Sequence, residues 1–279
     1  MPRLTLMPNG ATASCPREGP LEEPAKRGKV NGWSIQSTQR LRRWFYGVDG
    51  GSLDGQGLAL TLTVRDLPPT AADWTATRRA FFERLRRAGM IRGQWLTEWQ
   101  RRGVPHLHGA VFLEEGVPAA DELVMRHWLE AASSGGPREQ AQVVKALYGL
   151  PGWLRYQAKH SARGVRHYQR STVPEAWRGA TGRLWGTFGD GPSRETVLEV
   201  DMATFWRFRR RLRSWLIAEA RTAGDQRRAA WLRGLLRDPK RERSWVRGVG
   251  EFCPEGVAVQ LLADAAELVT SDSPEAEPP

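Results

Sequence analysis

Gln94-Trp95-Leu96-Thr97-Glu98-Trp99-Gln100-Arg101-Arg102-Gly103-Val104-Pro105-His106-Leu107-His108-Gly109-Ala110-Val111-Phe112 reads as a β-hairpin with a metal site on one face. Two runs rich in Trp, Val, Leu, Thr and Phe flank Arg101-Arg102-Gly103, and a three-residue loop ending in a glycine at positive φ is a common hairpin connection. The register follows from that loop. If Gln100 faces Val104, then Trp99 faces Pro105 and Glu98 lies opposite His106, because antiparallel positions pair outward one by one. His108 lies two residues further on and shares their face. Opposite partners have Cβ atoms roughly 5 Å apart, so two imidazoles and a carboxylate converge where a divalent cation can sit. Taken alone, a His-x-His pair is as often two polar residues on a solvated face. Here an acid at the matching cross-strand position, an aliphatic strand upstream and a Tyr-x-x-Lys downstream fall in one order, and together they favour a ligand set.

Upstream, Leu58-Ala59-Leu60-Thr61-Leu62-Thr63-Val64 has the β-prone, mostly apolar character of a central strand buried on both faces. Trp74, Ala80, Phe81, Leu85 and Ala88 recur at helical spacing between Ala71 and Gly89. Downstream, Leu123, Val124, Trp128 and Ala131 mark a second amphipathic helix. Strand, helix, hairpin, helix is the order of a split βαβ unit, so the fold class is α+β: a ferredoxin-like or RRM-like antiparallel sheet with flanking helices. Ser34 to Trp44 predicts a short basic helix, Gln140 to Tyr148 a further helix, and Arg183 to Phe188 an additional strand.

A new helix is predicted to begin near Trp153, with Tyr156 and Lys159 three residues apart on one face. Two readings stay open. Tyr156 is a nucleophile with Lys159 as its phosphate-facing partner, or it is a half-buried aromatic packed on Trp153.

The whole chain has 42 Lys+Arg against 31 Asp+Glu, a net charge of +11, which suggests a polyanionic partner such as nucleic acid. Thirteen tryptophans can supply base-stacking platforms, although most aromatic residues belong to cores. With only Cys15 and Cys253, no disulfide framework or zinc knuckle is indicated, and a reducing compartment fits. No apolar leader and no run of eighteen apolar residues occurs, so a cytoplasmic protein is expected.

Four segments follow. Residues 1–30, crowded with Pro, Gly, Glu and Lys, are expected to form a flexible arm; residues 31–195 hold the strand, hairpin and tyrosine segments. Residues 196–250 are expected to be a basic helical appendage, since 203–247 carry 14 Arg+Lys against 4 Asp+Glu. Residues 251–279, with 7 acidic residues and no Lys or Arg, are expected to be an acidic tail.

The order of these motifs resembles the HUH endonucleases, specifically the replication initiators of rolling-circle plasmids and single-stranded-DNA phages. Leu60-Thr61-Leu62-Thr63 is similar to that family's first motif, Glu98 with His106-Leu107-His108-Gly109 to its metal motif, and Tyr156-Gln157-Ala158-Lys159 to its nucleophile motif. Gly182-Arg183-Leu184-Trp185-Gly186 resembles a segment that often follows the nucleophile. The resemblance spans roughly residues 34–188 and leaves the basic C-terminal helices uncovered. Some relatives carry two tyrosines three or four residues apart. Tyr148, Tyr156 and Tyr168 are too widely spaced for that, so a single-tyrosine mechanism is implied, with Tyr148 as the runner-up nucleophile.

The resemblance implies Mg²⁺ or Mn²⁺ held by His106, His108 and Glu98, with Tyr156 and Lys159 as catalytic residues. It further implies a 5′-phosphotyrosyl link to single-stranded or hairpin DNA at a replication origin, with host helicase and polymerase acting afterwards. Arg101, Arg102, Arg155, Arg163 and Arg166 are the expected backbone-tracking cations. A relaxase or transposase with the same chemistry, and a non-catalytic RRM-like nucleic-acid-binding protein, are the alternatives.

Overall fold

A computed structural model of the chain describes residues 1–15, 28–147, 164–237 and 249–271. In chain order the elements are β1 (Arg3–Met7), β2 (Gly10–Ser14), α1 (Ile35–Gly47), β3 (Gln56–Thr63), α2 (Ala71–Arg87), β4 (Met90–Trp99), β5 (Pro105–Leu113) and α3 (Ala120–Ala131). They continue with β6 (Val143–Ala146), α4 (Tyr168–Ser171), β7 (Trp185–Phe188), β8 (Thr196–Glu199), α5 (Met202–Thr222), α6 (Gln226–Arg237), β9 (Val249–Phe252) and α7 (Glu255–Ser271). The class is α+β, with two antiparallel sheets among the described residues.

The chain divides into two compact units. One comprises Glu23–Phe45 and Gly50–Pro192; the other takes Met1–Glu22, Tyr46–Asp49 and Ser193–Pro279.

In the first unit the sheet order is β6-β3-β5-β4-β7. The hairpin β4–β5 forms its centre, and its loop closes as the glycine requires: Gly103 has φ +78°, and Gln100 N–H donates to the Val104 carbonyl at 2.9 Å. The period of two then divides the residues between faces. Thr97 and Leu107, paired across the hairpin, lie under α2, where Trp74 Nε1 donates to Thr97 Oγ1 at 3.0 Å. Thr70 and Asp73 start α2 with a reciprocal capping box, which satisfies backbone donors the first turn leaves free.

Trp74, Phe81 and Trp128 meet edge to face with ring centroids 5.9 and 5.4 Å apart, locking α2 to α3 over the sheet. Each such buried aromatic contributes roughly 1.5–3 kcal/mol, and truncating Trp128 to alanine would cost about 3–5 kcal/mol. On the same face Arg78 lays its guanidinium 3.6 Å from the Trp95 ring centroid. Burial, with Arg183 nearby, pushes its pKa down to about 10.

Two local expectations are corrected here. Residues 140–147 are not helical: a short 3-10 turn at Glu139–Ala141 leads into the edge strand β6, which pairs with β3. The β-branched pair Val143-Val144 prefers the pleated edge, and Gln142 anchors it by accepting from the Thr63 N–H at 2.7 Å. β3 itself is buried at Leu58, Leu60 and Leu62 but only partly covered at Ala59 and Thr61, so it is not a strand enclosed on both faces.

The second unit corrects the expected arm. Residues 3–14 form the hairpin β1–β2, which lies between β8 and β9 in the order β8-β1-β2-β9. Leu4, Leu6, Ala11 and Ala13 alternate into a core with Phe205, Phe208, Leu212 and Leu216 of α5 and Ala258 and Ala265 of α7. The Pro- and Glu-rich stretch that follows dominates the composition of residues 1–30 and hides this short alternation. The expected acidic tail likewise begins with Glu251 in β9 and continues as α7, whose Ala258 and Ala265 are buried. Among the described residues no helix is long and apolar enough to cross a membrane.

Candidate metal centre

On the sheet face opposite α2, the hairpin register pairs Glu98 with His106, while His108 pairs with Thr61 of β3. One ligand atom from each of Glu98, His106 and His108 lies within 4.8 Å of the others, and all three residues are buried. The two imidazole Nε2 atoms are 3.1 Å apart, and His108 Nε2 is 3.8 Å from Glu98 Oε2. Donors around a divalent ion with bonds of about 2.1 Å stand roughly 3 Å apart when adjacent, so the set fits a small oxygen- and nitrogen-ligated cation. The outer nitrogen of His108 completes the case. Thr61 Oγ1 lies 3.1 Å from its Nδ1, which directs Nε2 inward, the arrangement that second partners of metal-binding imidazoles provide.

The short helix α4 reaches the same place from more than sixty residues away. Arg170, fully buried, donates from Nε to Glu98 Oε1 at 3.3 Å and from NH1 to Thr38 Oγ1 at 3.2 Å, with its guanidinium 4.3 Å from the Trp33 ring centroid. Its neighbour Gln169 places Nε2 3.4 Å from His106 Nε2. Glu98 therefore offers one oxygen toward the imidazoles and the other to a guanidinium. A buried carboxylate needs such a partner to remain charged at acceptable cost.

Gly109, which ends the His-x-His-Gly sequence, is dictated by packing. A Cβ there would stand 2.2 Å from the Gln94 carbonyl oxygen on β4. The residue after His108 must therefore lack a side chain for β4 and β5 to stay paired.

The other expected site residues divide three ways. Tyr156, Lys159, Arg155, Arg163 and the runner-up Tyr148 lie outside the described residues. Arg101 is exposed at the hairpin tip, its guanidinium 5.1 Å from the Tyr168 ring centroid, and Arg166 is also exposed. Arg102 is engaged internally: it donates to Gln100 Oε1 at 2.7 Å, to the Val64 carbonyl at 2.7 Å and to the Arg65 carbonyl, pinning the hairpin tip to the end of β3. Sequence reasoning missed Thr61 as a histidine partner, although pairing β3 with β5 would have revealed it. Gln169 and Arg170 gave no local signal, since only the fold brings them to the hairpin.

The described residues thus define an α+β protein with a buried, metal-competent Glu/His/His group. No family model matches the chain, and no solved structure matches it. It is 41% identical over 254 residues to replication-associated protein G2P of Pseudomonas phage Pf3, covering 89% of this chain and 91% of that one. Two chains from Xylella fastidiosa named "Putative replication protein" are 40% identical over 276 residues (strain 9a5c; 95% of this chain, 97% of that one) and 41% identical over 262 residues (strain Temecula1; 90% and 99%). The chain belongs to this family of replication proteins.

Proposed function

We propose that the protein nicks and rejoins single-stranded DNA at a replication origin through a tyrosyl intermediate, and so initiates rolling-circle replication of a phage or plasmid. The observation that carries this reading is the buried group of Glu98, His106 and His108, with ligand atoms within 4.8 Å, in a chain whose relatives are named for replication. A non-catalytic nucleic-acid binder of RRM type gives no reason for two imidazoles and a carboxylate to converge in the interior, whereas a divalent ion does. The names of the relatives favour initiation over a relaxase or transposase role.

A tyrosine hydroxyl, with an ordinary pKa near 10, is a weak nucleophile toward an anionic phosphodiester. Bound Mg²⁺ or Mn²⁺ at the three ligands would withdraw charge from the non-bridging oxygens of the scissile phosphate. Tyr156 then attacks phosphorus in line: its phenol gives up a proton to water as the Tyr–O–P bond forms, the P–O3′ bond breaks, and the departing oxygen takes a proton from water to leave a free 3′-OH that can prime synthesis. Lys159 offsets phosphate charge during the transfer, and Arg101 and Arg166 track the flanking backbone. Rejoining runs the same step backward, the covalent link having conserved the bond energy.

The test is a labelled origin oligonucleotide incubated with the full chain and Mn²⁺. An SDS-stable adduct is expected, abolished by chelator and by Tyr156→Phe while DNA affinity is retained. Absence of any adduct would overturn the reading, and an adduct that survives Tyr156→Phe would transfer the nucleophile's role to another tyrosine.

A further inference from the structure

The second unit contains a surface that the cleavage chemistry does not use. Helices α5 and α6 are joined by the short turn Ala223-Gly224-Asp225, with Gly224 at φ +72°. Asp225 caps α6, its Oδ1 accepting from the Arg228 N–H at 2.9 Å. Among the described side chains of α6, Ala229 and Leu232 face the core, at 0% and 2% exposure. At 100° per residue, Arg227, Ala230, Trp231 and Gly234 fall on the opposite stripe, all exposed, with Gln226 and Arg228 beside them.

Trp231 is 54% exposed. A large aromatic left in water among arginines is informative in a way that an exposed leucine is not. Ala230 and Gly234 on the same stripe leave the indole standing clear, so a flat or grooved surface can approach closely.

We propose that this outer face of α6 is a second DNA contact, separate from the nicking centre, that grips the duplex flanking the origin. Arg227 and Arg228 pair with backbone phosphates, and Trp231 packs against the sugars between them. Charge selects the occupant: α6 has no acidic residue, and the segment 203–247 carries 14 Arg+Lys against 4 Asp+Glu. A membrane surface is a poorer fit, because an interfacial helix needs a broad apolar face, and among the described side chains this stripe offers one large apolar group between arginines. The inference rests on the reading of the chain as a DNA-acting replication protein.

The experiment measures binding of the full chain to a labelled duplex several helical turns long across a range of salt. Each lost phosphate contact lowers the slope of log affinity against log salt by about 0.9, so Arg227→Ala with Arg228→Ala is expected to reduce it by about 1.8. Trp231→Ala is expected to weaken binding roughly tenfold through lost apolar contact, with the slope unchanged. All three positions are exposed, so thermal melts of the variants are expected to match the parent.

Parent-like affinity and slope in the variants would overturn this proposal alone. Failure of the parent to bind any DNA would overturn the replication reading with it. Loss in the variants of binding to phosphatidylserine vesicles, with duplex binding intact, would also overturn it.

Discussion

Arg170 and Glu98, separated by 72 positions in the chain, meet as a fully buried ion pair with Nε 3.3 Å from Oε1. The pair fixes which carboxylate oxygen remains for the imidazoles. Removing one partner of such a pair strands the other charge, so Arg170→Gln is expected to cost roughly 3–5 kcal/mol. Glu98→Gln with Arg170→Gln should recover part of that loss. Urea denaturation of the single and double variants measures the coupling, and strict additivity would show that the pair contributes nothing.

Thr61 supports His108 through one contact of 3.1 Å to Nδ1. Thr61→Val preserves shape and removes only that partner. Loss of a hydrogen bond behind a metal-binding imidazole typically lowers metal affinity about 10–100-fold. Mn²⁺ titration followed by electron paramagnetic resonance should show this weakening without loss of secondary structure.

Gly109→Ala tests the packing reason for the glycine after His108. The new Cβ would meet backbone, which cannot swing aside as a side chain can. The expected cost is at or above the roughly 1–3 kcal/mol of ordinary overpacking. Hydrogen exchange should localise it to the β4–β5 amides, and an unchanged exchange pattern would argue against the clash.

Asp201, which caps α5, accepts from the Thr204 hydroxyl at 2.6 Å and the Thr204 N–H at 2.9 Å, and these bonds hold its carboxyl below the ordinary aspartate range. The sign follows from linkage. A depressed acid stabilises the fold above the unfolded value near 3.8, and that stabilisation is lost as pH falls through the lower folded value. Urea midpoints of the parent and Asp201→Ala should therefore differ at neutral pH and converge in that acidic window.

The two cysteines are expected to separate by reactivity. Burial, with Glu219 nearby, pushes the Cys253 thiol up to about 12, while Cys15 is only partly buried. Iodoacetamide should label Cys15 in the native chain, and Cys253 only after denaturant is added.

Much of the first unit was legible because its signals are local. A glycine-ended loop set the register of β4 and β5, and period-two alternation assigned Glu98, His106 and His108 to one face without knowledge of the rest. What stayed hidden depends on distant partners. Arg170 reads as one arginine among many until α4 is carried onto the hairpin, and Leu4, Leu6, Ala11 and Ala13 look like part of a polar arm until α5 supplies the other half of their core. The helix expected near residue 140 failed because a four-residue edge strand is too short to show its period.

The sheet order β8-β1-β2-β9 carries a consequence for biosynthesis. Its inner strands are made about two hundred residues before their neighbours, and a lone two-stranded hairpin is marginal in water. This unit therefore matures only once β8 and β9 have been made. A nascent polypeptide interrupted between β2 and β9 would hold a hairpin that lacks a flank and is prone to aggregation and proteolysis, so a break anywhere in that interval exposes the same two strands to quality control.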